Sequence, residues 1–154
     1  KLMGKPQDKE RIENIIKWCN EFNIRCYYLI ILFSPESTIE DLEINYKTLS
    51  QWQKEGNVTI SVEPFMMPYR GASIYNQDFM MGYQFTELSN HRILKHPYII
   101  YPSDRETREI MDRFKERLPL YLDQFNKEKG HQHRSKDHTG KLMVRLLGDL
   151  LLEG

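Results

Sequence analysis

The chain has 154 residues, 40% of them hydrophobic, and its 22 basic and 22 acidic side chains give a formal net charge of zero. This length allows one domain with a real core, and the neutral charge excludes a general electrostatic attraction to nucleic acid or anionic membranes. No apolar run approaches the ~20 residues of a membrane-spanning helix. Because the amino-terminal sequence KLMGKPQDK has neither an initiator methionine nor a signal-peptide core, we expect a fragment of a longer, cytoplasmic protein.

The first two predicted elements are an amphipathic helix and a buried strand. Residues 7–22 repeat apolar side chains at helical spacing, and Asn23 suits the left-handed conformation that often ends a helix. The unbroken apolar run Cys26–Phe33 predicts a strand buried on both faces, as in parallel sheets covered by helices, and Pro35 ends it. The predicted inner stripe of the helix consists of Ile12, Ile15, Ile16, Cys19 and Phe22.

A second helix and a second strand follow in the same order. Ser37 and Glu40 have the spacing of a capping box, which predicts a helix over about residues 38–55. Val58–Phe65 is rich in β-branched residues and predicts a strand. Because helices and strands alternate with short joints, we expect parallel strands with right-handed crossovers. The predicted inner stripe of this helix is Leu42, Tyr46, Leu49 and Trp52.

The signals weaken between the second strand and residue 103. Residues 76–102 mix methionine, glycine, histidine and aromatic side chains without a clear period, which predicts an irregular connection containing a short helix. Within it, Tyr98–Tyr101 lies between two prolines and predicts a short edge strand.

The carboxyl-terminal part predicts two helices. A capping-box match between Ser103 and Glu106 begins a helix that reaches about Lys129 and that Pro119 should kink. Thr139 is placed to cap a last, short helix. The predicted inward side chains are Ile110, Phe114, Leu118, Tyr121 and Phe125 in the first helix, and Leu142, Leu146, Leu147 and Leu150 in the second.

The two cysteines, Cys19 and Cys26, are too few for a disulfide scaffold, and a reducing cytosol is the expected compartment. Free cysteine usually packs as a small hydrophobic side chain. We therefore predict buried structural thiols; the alternative is a pair of ligands in an incomplete metal site.

A polar tract at residues 130–140, GHQHRSKDHTG, holds most of the histidines. Alternate histidines can converge on one metal ion, and zinc or nickel would suit them. The composition favours a solvated linker instead, so we predict no metal site in this chain. The candidate ligands under the first interpretation are His131, His133, Asp137 and His138.

Three short segments, in this order, resemble the carboxyl-terminal half of radical S-adenosylmethionine (radical SAM) enzymes. They are LMGK at residues 2–5, ILFSPESTIEDL at residues 31–42 and PYRGASIY at residues 68–75. The second segment is similar to the family pattern IxGxPGETxEDL, and the third to PxPGTxLY. The likeness is strongest to members that often carry an upstream cobalamin domain.

The resemblance implies an α/β fold, the carboxyl-terminal half of a partial (βα)6 barrel with parallel strands. Residues 1–75 would supply two strand–helix units, residues 76–102 a connection, and residues 103–154 a helical extension. The upstream half of the same barrel would be the partner. It would carry the C-x3-C-x2-C motif for a 4Fe–4S cluster, which this chain lacks. The whole enzyme would cleave S-adenosylmethionine reductively and act on an unknown substrate; this segment alone should be inactive.

The resemblance also implies cofactor-binding residues at the carboxyl ends of the strands, and the chemistry of nearby residues suggests substrate contacts. In this alignment Phe33 stands where the family has glycine. Core packing is the alternative for Ile31 and Phe33, and core filling for the methionines. Glu63 would either handle protons in a buried setting or, as we favour, pair with a base such as Arg70. The cofactor-binding candidates are Ile31, Phe33, Ser34, Phe65, Met66 and Met67; the substrate-contact candidates are Glu63, Tyr69, Arg70 and Tyr75.

Two other functions remain open. One is a non-catalytic α/β ligand-binding or scaffold module that binds an anion where the helix starts after Pro35. The other is a degenerate radical SAM fold that has lost its chemistry. The phenylalanine at position 33, where the family has glycine, supports this alternative. No G-x-S-x-G elbow, Walker loop or Rossmann glycine pattern occurs.

Overall fold

The computed structural model describes residues 8–55, 57–68, 85–87, 98–129 and 136–153, which form a mixed α/β fold. Helices and strands alternate in the first half, and helices dominate the second. The elements are α1 (Lys9–Glu21), β1 (Cys26–Phe33), α2 (Ile39–Trp52), β2 (Val58–Phe65), β3 (Phe85–Glu87), β4 (Tyr98–Ile100), α3 (Arg105–Lys129) and α4 (Lys136–Leu152).

Helix α1 ends in a Schellman motif that turns the chain directly into β1. Asn23 has a left-handed φ of 52°, as the sequence predicts. The N–H of Ile24 donates to the carbonyl of Cys19 at 2.7 Å, and that of Asn23 donates to Asn20 at 3.3 Å. These two bonds satisfy carbonyls that the last helical turn would otherwise leave unpaired.

The inner stripe predicted for α1 is only partly correct. Ile16 is buried in the core, and Ile12 packs against it from a partly buried position. Ile15 and Phe22 are 37% and 66% exposed. The helix therefore buries a narrower stripe than its apolar spacing indicates.

Helix α2 is capped one residue later than predicted. The N–H of Asp41 donates to Oγ1 of Thr38 at 3.2 Å, and the N–H of Thr38 donates to Oδ2 of Asp41 at 3.0 Å. These reciprocal bonds form a capping box. The predicted pair, Ser37 with Glu40, is wrong because the Ser37 hydroxyl bonds within the preceding turn. The predicted inner stripe is confirmed for Leu42, Leu49 and Trp52, which are buried, whereas Tyr46 is partly buried.

The start of α3 shows the same one-residue displacement. Asp104, not Ser103, accepts the N–H of Thr107 at 2.8 Å and its hydroxyl at 2.7 Å, so the predicted box with Glu106 is wrong. The helix then continues through Pro119 over 25 residues. Of its predicted inward residues, Ile110 and Phe114 are buried, and Leu118 and Tyr121 are partly buried against the core; the side chain of Phe125 lies outside the described part.

Helix α4 is longer than predicted and starts earlier. It begins at Lys136, so Thr139 lies inside it rather than at its cap, and the last part of the tract predicted as a linker is helical. Leu146, Leu147 and Leu150 are fully buried, as predicted, and Leu142 is partly exposed. Helices α3 and α4 lie antiparallel. Residues early in α3 contact the carboxyl end of α4, and a later residue of α3 contacts an earlier turn of α4. The contacts are Arg113 and Arg117 with Glu153, then Tyr121 with Asp149 at 2.6 Å.

Strands β1 and β2 pair in parallel, in a register that runs from Cys26 opposite Val58 to Phe33 opposite Phe65. This confirms the parallel pairing predicted from the alternation of elements. β3 and β4 form a separate antiparallel pair, in which β4 corresponds to the predicted edge strand and β3 was not predicted. Two parallel strands do not by themselves constitute a barrel. Among the described residues, no helix combines the length and apolar character needed to cross a membrane.

Among the described residues, helices cover one face of the parallel pair; the other face is open along Tyr27 and Leu29 but not at the carboxyl end of β1, where the consecutive residues Leu32 and Phe33 are 1% and 0% exposed. The prediction that β1 is buried on both faces is therefore correct only at that end. Val58, Ile60 and Val62 on β2 point into the core with α2 and α4. On the opposite face, Tyr27 and Leu29 of β1 are 63% and 65% exposed. An apolar run does not reveal how many of its faces are covered.

Helix α4 reaches the sheet through a close contact at Gly140. A Cβ built on this glycine would lie 2.0 Å from the carbonyl oxygen of Ile60. Because the Asn57 carbonyl accepts from Cys26 on β1 and carbonyls alternate in direction along a strand, that of Ile60 points to the other edge of β2. Gly140 therefore lies against the outer edge of β2 and shields it from pairing.

We expect Gly140→Ala to destabilise the protein although alanine favours helix. The Cβ would collide with backbone rather than with a movable side chain, and such overpacking costs about 3 kcal/mol, against a propensity gain of ~1 kcal/mol. Urea unfolding measures the difference. Gly148→Ala is the matched control: its Cβ would meet the Tyr46 ring at 2.4 Å, and a side chain can move. If Gly140→Ala is as stable as the wild type, or more stable, the close contact between Gly140 and the Ile60 carbonyl is wrong.

Candidate functional site

The predicted site lies at the carboxyl ends of β1 and β2, and the chain closes over these ends. The N–H of Met66 donates to the carbonyl of Phe33 at 3.1 Å, which extends the pairing beyond the strands. The N–H of Ile100 then donates to the carbonyl of Met66 at 3.3 Å, and that of Ser103 to Pro35 at 2.9 Å. Residues 98–103 therefore span the ends of both strands.

This covering segment is fixed to α3 by side chains. Lys115 donates to the hydroxyl of Tyr101 at 2.6 Å, and its Nζ lies 4.8 Å from the centre of that ring. Arg108 donates to the carbonyl of Pro102 through Nε at 3.1 Å and through Nη2 at 3.0 Å. Tyr101 is itself buried. Residues 98–103, which these hydrogen bonds hold against α3, therefore enclose the ends of the strands.

Three aromatic rings fill the space beneath the covering segment. Phe33 stacks on Phe65 with ring centres 6.1 Å apart, and Phe114 of α3 meets both edge-on at 5.5 and 6.3 Å. Phe33 is 0% exposed. Such rings bury large apolar areas and add a modest geometric preference. A ligand could touch the Phe33 side chain only if this cluster opened.

The turn after β1 satisfies its own polar groups. The hydroxyls of Ser34 and Ser37 lie 2.9 Å apart, and the N–H of Ser34 donates to Oγ of Ser37 at 3.0 Å. The N–H of Ser37 returns a bond to the carbonyl of Ser34 at 3.1 Å. Since Asp41 already occupies the start of α2 with a carboxylate, this geometry does not favour the binding of an anion there.

Two predicted site residues lie on the uncovered face of the sheet. Ile31 is partly exposed and stands opposite Glu63, which is exposed. The buried, proton-handling setting considered for Glu63 is therefore absent. Leu29 and Ser61 form the next pair on the same face. This face presents an apolar strip beside a carboxylate, which can pack against a flat apolar group and accept a hydrogen bond.

The remaining predicted site residues are divided between the core and the part of the chain outside the described ranges. Met66 is buried, and Phe65 and Met67 are partly buried against the core. Tyr69, Arg70 and Tyr75 lie outside the described residues, as do His131 and His133. Asp137 and His138 lie on α4, with side chains that are not described. Among the described side chains, no group of three or more potential metal ligands converges.

The two cysteines lie on either side of the junction between α1 and β1, at the amino-terminal end of the strand. Both are free and only partly buried, so the prediction of buried thiols is wrong. Burial, followed by the charge and hydrogen bond of Cys19, raises the pKa of the Cys26 thiol.

Comparisons with known proteins do not identify the chain: no protein-family model, no curated protein and no solved structure matches it. The interpretation of its function therefore depends on its own residues and their arrangement.

We expect Phe33→Ala to destabilise the protein by about 3–5 kcal/mol, the usual cost of removing a buried phenylalanine. The reason is that the other two rings would border a cavity. Leu29→Ala, on the uncovered face of the same strand, should change the free energy of unfolding by less than ~0.5 kcal/mol. Chemical denaturation of both variants measures this. If the two variants lose equal stability, the aromatic cluster does not support this end of the sheet.

The cap of α3 should make stability depend on acidic pH. The hydroxyl and the N–H of Thr107 donate to the Asp104 carboxylate and lower its pKa below the ordinary 3.8. The stabilisation is thus present above the unfolded-state pKa and is lost as pH falls through the lower, folded-state value. The wild type should have a higher melting temperature than Asp104→Asn at neutral pH. In thermal melts at decreasing pH, this difference should shrink as the pH falls through the folded-state pKa of Asp104. Parallel curves for the two proteins would rule out this contribution.

Proposed function

We propose that the chain is the second half of a radical SAM partial barrel within a longer enzyme. That enzyme would bind a 4Fe–4S cluster through its upstream half and cleave S-adenosylmethionine reductively, to start radical chemistry on an unknown substrate. The order of the three family-like segments supports this proposal. So does the parallel pairing of β1 and β2 through the intervening helix α2.

The observation that carries the proposal is that, among the described residues, one face of the parallel pair is packed with helices and the other is open along most of β1. In barrels of alternating strands and helices, the helices pack outside, and the other face of each strand points inward toward the site at the carboxyl ends. The exposure of Tyr27 and Leu29, opposite a face packed with helices, matches the inside surface of such a wall. Ile31 and Glu63 lie further along that surface, toward the carboxyl end.

The residues present fit the implied cofactors only in part. Cys19 and Cys26 are the only cysteines, and they lie at the amino-terminal end of β1, away from the predicted site. The upstream half would therefore have to bind the cluster. The side chains of Phe33 and Met66 are buried and do not fit a contact with a nucleoside. Ile31 does fit, as an apolar surface on the open face.

The contribution of this chain would be binding and orientation. The cofactors supply the radical chemistry when bound. Ile31 would pack on the adenine, and the exposed carboxylate of Glu63 beside it would accept a hydrogen bond from cofactor or substrate. The aromatic cluster around Phe33 would hold the two strand ends in register beneath that contact.

The test is an anaerobic assay of the longer protein after reconstitution of its iron–sulfur cluster. With reductant and S-adenosylmethionine, we expect formation of 5′-deoxyadenosine, and none from the 154-residue chain alone. Ile31→Asp should weaken S-adenosylmethionine binding at least about tenfold, because a charge would replace the apolar contact. Thr59→Ala, on the same face near the amino-terminal end, is the matched control. Activity of the isolated chain would overturn the proposal, as would inactivity of a longer protein with an intact cluster.

A second candidate is the same fold without cofactor chemistry. The buried Phe33 favours it, because a large ring fills the position where the family has glycine. Equilibrium binding of S-adenosylmethionine to the longer, cluster-containing protein separates the two: binding supports the enzyme, and its absence supports the degenerate fold.

A further inference from the structure

Helix α1 carries a second apolar stripe, which faces solvent. Ile15, Trp18 and the C-cap residue Phe22 are three and four residues apart, so they lie on one face of the helix. They are 37%, 58% and 66% exposed, whereas Ile16, on another face, is buried in the core. The solvent side of such a helix normally carries polar side chains, and large aromatic side chains are enriched at the centres of protein interfaces. This outer stripe is therefore a candidate interaction surface.

Charged side chains lie at both ends of the outer stripe. Arg11 lies one turn before it on the same face, and Asp8 is the N-cap residue of the helix. At the other end, Glu21 is in the last turn of the helix, and Arg25 follows the helix at the start of the next segment. From one end to the other, the charges therefore read acidic, basic, acidic, basic. This order is complementary to its own reverse.

A membrane is a poor partner for this stripe. Helices that lie on membranes have a polar face rich in lysine and arginine, which attracts anionic lipids. Helix α1 has three basic and three acidic side chains, so it has no net charge to provide that attraction. The charge pattern favours a protein surface with matching charges.

We propose that the outer stripe of α1 is a homodimer interface, in which it packs against the same stripe of a second copy with the two helices antiparallel. A two-fold axis through the middle of the stripe places each Ile15 opposite Trp18 of the second copy, as an isologous interface requires. Both side chains line a shallow surface depression together with Arg11. In this arrangement, Phe22 of the second copy lies over that depression and covers it.

The charges select the antiparallel arrangement. The same two-fold axis brings Arg11 close to Glu21 of the second copy, and Asp8 close to Arg25 of the second copy. Each of these contacts occurs twice in the dimer. A parallel pair of helices would instead place each of these four side chains beside the same residue of the other copy, where like charges repel.

The size of the surface predicts a weak dimer. Helix α1 has 13 residues, which makes it ~20 Å long. Two helices in contact over that length bury on the order of 500 Å² per copy, whereas a standard stable complex buries about 800 Å² per partner. We therefore expect a reversible dimer with a dissociation constant of about 10–100 µM. This inference goes beyond the proposed function and does not depend on it, because helices form the outside of such barrels.

Sedimentation equilibrium of the chain, from well below to well above that dissociation constant, tests the proposal. We expect the average mass to rise from that of the monomer toward that of the dimer and to go no higher. A wild type that stays monomeric throughout would overturn the proposal. So would a monomer that binds vesicles of anionic phospholipid through Trp18, because the stripe would then belong to a membrane.

A pair of variants with equally exposed positions locates the interface. Trp18→Glu should weaken dimerisation at least about tenfold, because two carboxylates would enter the apolar contact. Ile44→Glu is the matched control: Ile44 lies on α2 and is 57% exposed, so this variant should dimerise like the wild type. Circular dichroism and urea unfolding should show that both variants fold normally, since the replaced side chains face solvent. Equal dimerisation of the two variants would overturn the proposed interface.

Charge reversal tests the direction of the helices. Arg11→Glu should weaken the dimer about fivefold, because it places two acidic side chains together in each of two equivalent contacts. Adding Glu21→Arg should restore the wild-type dissociation constant, because the pairs are then opposite in charge again. In a parallel dimer, Arg11→Glu would leave a like-charge pair in place of a like-charge pair. No effect of Arg11→Glu, or no recovery in the double variant, would therefore overturn the antiparallel arrangement.

Discussion

The contact between α4 and the backbone of β2 is the constraint on which the rest of the core depends. Two parallel strands cannot bury their own apolar side chains, so the core depends on the helices packed on them. At Gly140 the absent side chain lets α4 approach the carbonyl of Ile60 directly. From there α4 delivers Leu146, Leu147 and Leu150 into the core. Helix α3 then packs on α4 through Arg117 and Tyr121.

At the carboxyl ends of the strands, the same atoms cannot serve packing and ligand contact at once. The ring of Phe33 fills the space between the strand ends and α3, and residues 98–103 bond across the outside. The groups that remain open lie further back along the sheet, where Ile31 faces Glu63. A ligand on this surface would rest against the strands at Ile31 and Glu63, just before their carboxyl ends.

Local signals in the sequence predicted much of the first half, because short joints and regular periods constrain the chain there. Asn23 ended α1 as expected, and the alternation of elements gave the parallel pairing. The caps were displaced by one residue, because neighbouring polar residues such as Ser37 and Thr38 each have an acidic residue three positions later. Only tertiary contacts decide between such neighbours.

Other features depend on contacts between distant segments, which no local pattern contains. In the sequence, β1 resembles a strand buried on both faces, because its composition does not depend on how many helices cover it. Strand β3 has only three residues and exists because β4 pairs with it. The burial of Phe33 depends on Phe114, which lies on another helix. For the candidate site, the sequence located the ends of the strands but could not show that the fold closes over them.

The position of α4 in the chain has a consequence for the order in which the protein can fold during synthesis. Translation delivers β1 and β2 before α4, yet core side chains come from Val144 to Leu150 of this helix. The ion pairs that join α3 to the end of α4 depend on Glu153, still later in the chain. Until those residues leave the ribosome, the core face of the sheet lacks the apolar side chains of α4. The contacts that α4 makes with the sheet and with α3 therefore form only after α4 has been synthesised.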